Sequence, residues 1–165
     1  MQKAVFLDRD GVINSDEGRY YVYREEDFTL TPQLGECLKK LQDAGFLLIV
    51  ISNQSGVSRG VYGVREVEQV NRFLREQLSA FGVQLTECYS CTHHPDVGKC
   101  LCRKPLPLLV QKALARYHID AARSYFIGDR ETDMKAAHNA GIKGIAVETN
   151  AGIAKAVENI LNAQR

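Results

Sequence analysis

Asp8 and Asp10 stand in the run Phe6-Leu7-Asp8-Arg9-Asp10-Gly11-Val12, directly after an apolar stretch. A carboxylate at a strand end can attack phosphorus and form an aspartyl-phosphate, which divides one difficult displacement into two easier ones. A second carboxylate two residues on points the same way if the chain stays extended. There it can protonate the leaving oxygen and later deprotonate water. Two such acids repel a phosphate dianion, so a hard cation is required, and Mg²⁺, which takes oxygen ligands, suits the task. Asp129, in Ile127-Gly128-Asp129-Arg130-Glu131-Thr132-Asp133, is the natural further Mg²⁺ ligand. Ser52 and Asn53 follow another apolar run and can donate to phosphate, and Lys104 can hold the transferred phosphoryl oxygens. A pair of aspartates alone is more often a solvated turn. The ordered set of D-x-D-G-V, Ser-Asn, Arg-Lys-Pro and Gly-Asp-x-x-x-Asp points to Mg²⁺-dependent phosphatase chemistry.

A second cluster suggests another metal. The chain has five cysteines, Cys37, Cys88, Cys91, Cys100 and Cys102, an odd number with three of them close together. That is not a disulfide framework, and metal ligation fits better. Cys91, Cys100 and Cys102 with one imidazole, from His93 or His94, make a closed tetrahedral Zn²⁺ set, whose role is structural. Few apolar residues lie between Thr92 and Lys104, so this loop cannot order itself by a core, and metal ligation can supply the order. Arg103 and Lys104 follow the last ligand, so fixing the loop places two cations at the phosphate site. Cys37 and Cys88 read as core residues.

The elements that must carry these groups alternate. Strands are expected at 3–8, 46–52, 83–90, 124–127 and 142–147. Helices are expected at 31–45, 64–81, 107–118, 131–140 and 152–163, the first with Thr31 as N-cap and Pro32 at the first position. Gly45, Gly82 and Gly141 read as helix ends. Such alternation predicts a three-layer α/β/α domain with a central parallel sheet. Ligands then sit at the carboxyl ends of strands, where Asp8, Ser52 and Asp129 all fall. Only about twenty residues separate Asn14 from the first helix, and ten separate Asn53 from Val64. No separate cap domain fits there, so residues 1–165 read as one domain with an open site. The zinc loop at about 91–104 forms part of its rim.

These motifs resemble the haloacid dehalogenase (HAD) phosphatase superfamily and, within it, the histidinol-phosphate and D,D-heptose 1,7-bisphosphate phosphatase group, from Phe6 to about Val147. The resemblance implies a HAD-like fold. Asp8 is the implied nucleophile and Mg²⁺ ligand, and Asp10 the acid/base, with its carbonyl on the metal. Ser52 is implied to bind phosphate, Lys104 to hold the phosphoryl group and Asp129 to bind Mg²⁺. Asp133 is implied to support the site through hydrogen bonds. The family's zinc loop favours His93 over His94. The run Asn53-Gln54-Ser55-Gly56-Val57-Ser58-Arg59-Gly60 is similar to the heptose bisphosphatases, which serve lipopolysaccharide precursor biosynthesis. Arg59 then supplies a second phosphate with a cation, helped by Arg103. The short zinc loop and Leu106-Pro107-Leu108 favour the histidinol-phosphate alternative. A non-catalytic zinc- or phosphate-binding module is a further one. Tyr20, Tyr21 and Tyr23 either line the entrance or pack.

Hydrophobic residues make up 45% and charged residues 25% of the 165, and net charge is +1. Nothing in this balance points to a nucleic-acid or membrane partner. The first strand begins within three residues and leaves no room for a signal peptide. The expectation is a cytoplasmic monomer acting on a small phosphorylated metabolite.

Overall fold

Strand β1 (Lys3–Leu7) lies at the centre of a five-stranded sheet in the computed structural model, which describes residues 1–164. The others are β2 (Phe46–Asn53), β3 (Glu87–Cys91), β4 (Tyr125–Gly128) and β5 (Lys143–Ala146). Their order is β3-β2-β1-β4-β5 and all neighbours are parallel. The chain moves outward from β1 through β2 to β3, then crosses back to β4. This reversal makes β1 and β4 the switch point, where open α/β sheets leave a crevice.

Alternation along β1 divides the core. Val5 and Leu7 pack with helices α1 (Leu34–Asp43), α2 (Val64–Ser79) and α5 (Ala154–Asn162). Ala4 and Phe6 face α3 (Leu108–Arg116) and α4 (Glu131–Asn139). Side chains of a strand point alternately to either face, so the fully buried run of β1 serves both layers. The arrangement is three-layered, α/β/α, with the sheet in the middle. Among the described residues, no helix is long and apolar enough to cross a membrane.

Two expected boundaries move. Helix α1 begins at Leu34, after Gln33 in a left-handed conformation (φ 57°). Thr31 is not its cap: its hydroxyl donates to the Val12 carbonyl at 2.7 Å. A buried carbonyl needs a donor, and supplying it ties the loop behind Asp10 to the start of α1. The third strand begins at Glu87, not at 83. Val83 N–H closes α2 on Leu78 O, and Gln84 N–H is taken by the Gln42 side chain. Val83 and Leu85 are thus buried without pairing in the sheet.

Candidate active site

Asp8 leaves β1 with its backbone N–H on Ile127 O of β4, at 3.1 Å. This continues the β1–β4 pairing and brings Asp8 beside Asp129, which follows β4. The carboxylates of Asp8, Asp129 and Asp133 cluster with ligand-capable atoms within 4.8 Å of one another. Close backbone approach makes room for them. A Cβ on Gly11, already at φ +88°, would lie 3.1 Å from Asp129 Cγ and closer still to Oδ2. A Cβ on Gly128 would lie 2.6 Å from Asp133 Cγ.

Lys104 answers part of this negative charge. Its ammonium donates to Asp8 Oδ1 at 2.6 Å and to Ile51 O at 2.8 Å, and pairs with Asp133 Oδ1 at 2.7 Å. The residue is only 3% exposed. Burial works to lower its pKa, but the charges of Asp8 and Asp133 prevail and raise it, so the ammonium stays charged. Burial pushes the Asp8 carboxyl up to about 7, Lys104 pulling it down and Asp133 and Asp10 adding to the rise.

The acceptors left over show where a cation fits. Both Asp133 oxygens are used, one by Lys104 and the other by the Arg130 backbone N–H at 3.2 Å. Asp129 Oδ2 accepts from Thr149 Oγ1 at 2.8 Å, while its Oδ1 is buried without a partner. A buried unpaired carboxylate oxygen is costly. With Asp8 close by, that oxygen suits a hard cation.

Asp10 is held by a different set of donors. Its Oδ1 accepts from Arg9 Nη2 at 2.9 Å and from Asn14 Nδ2 at 3.0 Å, and its Oδ2 from Gln54 Nε2 at 3.0 Å. Arg9 is 1% exposed and also donates to Val22 O. A fully buried arginine is tolerable because Asp10 pairs with it. The motif reading did not single out Arg9 or Gln54. The charged residue between the two acids was the available sign for Arg9, since a cation buried there needs a partner.

Ser52 is buried, its Oγ accepting from Gln54 Nε2 at 2.6 Å. Asn53 uses its side-chain amide on the Lys104 main chain, accepting from N–H at 3.1 Å and donating to O at 3.2 Å. Asn53 therefore clamps the segment that carries the lysine. A cavity of about 430 Å³ opens over Asp8, Asp10, Lys104 and Asp133, with Arg19, Arg103 and Arg130 on its walls. Tyr20 and Tyr21 line it too, while Tyr23 stacks on Tyr62. Arg59 is not brought to the cavity. It is exposed, on a turn whose backbone bonds to Ser55 O, and is absent from the lining.

At the end of β3 the sulfurs of Cys91, Cys100 and Cys102 gather around His93. Cys102 Sγ is 3.1 Å from Cys91 Sγ and 3.3 Å from His93 Nδ1, and Cys91 Sγ is 3.7 Å from Cys100 Sγ. His94 faces elsewhere, its Nδ1 accepting from the Asp96 N–H at 3.1 Å. Three thiols and one imidazole converging without a disulfide fit a soft tetrahedral metal. The Arg103 guanidinium donates to His93 O at 3.3 Å, which joins this cluster to the cavity wall.

The profile of the HAD-hydrolase-like family matches residues 101–164. D-glycero-beta-D-manno-heptose-1,7-bisphosphate 7-phosphatase from Haemophilus ducreyi is 41% identical over 148 residues, covering 86% of this chain and 80% of that one. D-glycero-alpha-D-manno-heptose-1,7-bisphosphate 7-phosphatase from Photorhabdus laumondii is 36% identical over 166 residues, covering 96% and 90%. The crystal structure of D,D-heptose 1,7-bisphosphate phosphatase from B. bronchiseptica, complexed with magnesium and phosphate, superposes with a TM-score of 0.90 at 28% identity, covering 98% and 99%.

Proposed function

We propose that this chain, which belongs to the HAD-superfamily family of D-glycero-D-manno-heptose-1,7-bisphosphate 7-phosphatases, removes the 7-phosphate of its sugar substrate through an aspartyl-phosphate on Asp8. The observation that carries this reading is the meeting of Asp8, the unpartnered Asp129 Oδ1 and buried Lys104 at the β1–β4 switch point. Asp8 and Asp129, with the Asp10 carbonyl, would hold Mg²⁺, which when bound neutralises phosphate charge and lets the dianion approach an anionic nucleophile. Asp133 keeps to Lys104 and the Arg130 N–H.

Asp8 bonds to phosphorus as the bond to the sugar oxygen breaks, and Asp10 passes a proton to that oxygen. Asp10 then takes a proton from water, whose oxygen bonds to phosphorus while the bond to Asp8 breaks. Lys104 holds the phosphoryl oxygens, and the Ser52 hydroxyl is the further donor the sequence offers them. Arg103, with Arg19 and Arg130 also on the cavity walls, offers cations to the second phosphate, the role expected of Arg59. Side-by-side kcat/KM for both anomers of heptose 1,7-bisphosphate and for histidinol phosphate tests the substrate. A heptose preference supports the reading, and a tenfold preference for histidinol phosphate sinks it.

Metal binding should show in stability as well. Asp8 in the fold has a pKa raised above its unfolded value. In the metal-free protein its contribution is therefore full below the unfolded value of 3.8 and is lost as pH rises through about 7. A cation held by ionised Asp8 offsets that loss. Saturating Mg²⁺ is thus expected to raise Tm more at about pH 8 than at about pH 5. An equal rise at both would remove Asp8 from the cation site.

Cys91, His93, Cys100 and Cys102 would hold a structural Zn²⁺. Stripping it frees Arg103 and Lys104 before the sheet melts, so KM should rise several-fold at temperatures where circular dichroism is unchanged. Unchanged KM, with activity lost only on melting, would contradict this.

A further inference from the structure

The two oxygens of Asp10 are not equivalent. Oδ1 accepts from Arg9 Nε at 3.1 Å, Arg9 Nη2 at 2.9 Å and Asn14 Nδ2 at 3.0 Å. Three donors leave that oxygen no lone pair for a proton. Oδ2 accepts only from Gln54 Nε2, at 3.0 Å, so a proton on Asp10 has to reside there. Gln54 is 2% exposed and its amide is held at both ends. Nε2 also donates to Ser52 Oγ at 2.6 Å, and Oε1 accepts from the Tyr62 hydroxyl at 2.6 Å. Turned over, the amide would set Oε1 against Oδ2, acceptor against acceptor.

Tyr62 is built in to prevent that. It is 8% exposed, stacks on Tyr23 with ring centres 4.8 Å apart, and meets the edge of Tyr21 at 5.6 Å. Its ring lies over Gly56, where a Cβ would stand 2.8 Å from Cζ. Burial raises its pKa, which keeps the hydroxyl protonated and able to donate to Gln54 Oε1. Tyr21 also lines the cavity, so the substrate wall and the hold on Gln54 share one aromatic stack.

We propose that Gln54 is a positioning residue, held by Tyr62, that confines the transferable proton of Asp10 to Oδ2 and keeps that oxygen aimed at the departing group. This rests on the phosphatase reading above. In the first half-reaction the Asp8–phosphorus bond forms, the phosphorus–alkoxide bond breaks, and the Oδ2 proton goes to the alkoxide. In the second, Oδ2 takes a proton from water as the water oxygen displaces Asp8.

Leaving groups differ in how much they need that proton, and kcat/KM reports only steps through the first irreversible one. An alkyl phosphate such as heptose 1,7-bisphosphate needs protonation of its leaving oxygen; para-nitrophenolate departs without it. Gln54→Leu is expected to lower kcat/KM by about ten- to a hundredfold on the bisphosphate and by less than about threefold on para-nitrophenyl phosphate. Tyr62→Phe keeps the stacked ring and is expected to show the same selectivity with a smaller loss, which maintains the test should Gln54→Leu fold poorly. Equal losses on both substrates, or no loss, would overturn the proposal. Asp8→Asn separates the two ideas: if it retains hydrolysis of both esters the aspartyl-phosphate route on Asp8, which the positioning role presupposes, fails, whereas if it is inactive and the losses are unselective only the positioning role fails.

Discussion

Asp8→Asn is expected to abolish turnover while leaving the fold intact. A carboxamide cannot form the aspartyl-phosphate, and removing a nucleophile that acts as part of a unit costs roughly 10⁴- to 10⁶-fold in kcat. Yet the same change should not harm the metal-free protein. Asp8 is buried among Asp133 and Asp10, and burial drives its carboxyl up to about 7. A neutral amide of the same shape removes a charge that the site resists and can still accept from the Lys104 ammonium, now 2.6 Å from Oδ1. Tm without Mg²⁺ at neutral pH should therefore be equal or higher, and the rise on adding Mg²⁺ should shrink. Phosphate release and thermal unfolding on the same preparation check this. Activity within tenfold of the wild type would remove Asp8 from the nucleophile's role.

Lys104→Met should damage both stability and rate. The ammonium is the only side-chain cation bonded to Asp8 or Asp133 among the described residues, and both carboxylates are buried. Breaking a buried pair by deleting one partner costs about 3–5 kcal/mol because the remaining charge is left uncompensated. For a chain of this length that is a fall in Tm of roughly 10 °C. The methionine keeps most of the side-chain volume beside Phe126, so a cavity is not the cause. Mg²⁺ should restore part of the stability, since it neutralises the same carboxylates, but not the rate. Urea unfolding with and without Mg²⁺, beside kcat/KM, separates the two effects. A variant as stable as the wild type without metal would show that Lys104 does not offset this charge.

Several parts of the site could be read along the chain because their signals are local. Acids directly after apolar runs, at Asp8 and Asp129, say that strand ends deliver carboxylates. Cys91, His93, Cys100 and Cys102 lie close enough in sequence that their convergence needs only one loop. The preference for His93 agrees with a loop geometry in which His94 turns to Asp96. Arg59 lies outside the cavity lining for a related reason. Its neighbours in sequence resemble a substrate-binding run, but whether an arginine faces a cavity depends on how the turn is held, here by bonds from Arg59 N–H to Ser55 O and Ser58 N–H to Thr92 O. The arginines that do line the cavity, Arg19, Arg103 and Arg130, come from three distant segments.

By itself the sequence determined the alternation of strands and helices and the residue types gathered at strand ends, since side-chain periodicity and turn chemistry act over a few residues. Only the tertiary structure decided that β4 pairs with β1, setting Asp129 beside Asp8. It also decided that Asn53 grips the main chain of Lys104 and that Gln54 and Arg9 hold opposite oxygens of Asp10. Strand order and buried hydrogen bonding join residues far apart in the chain. They are settled by which arrangement buries both sheet faces and leaves the fewest polar groups unpaired, a condition on the whole molecule that no short stretch of sequence records.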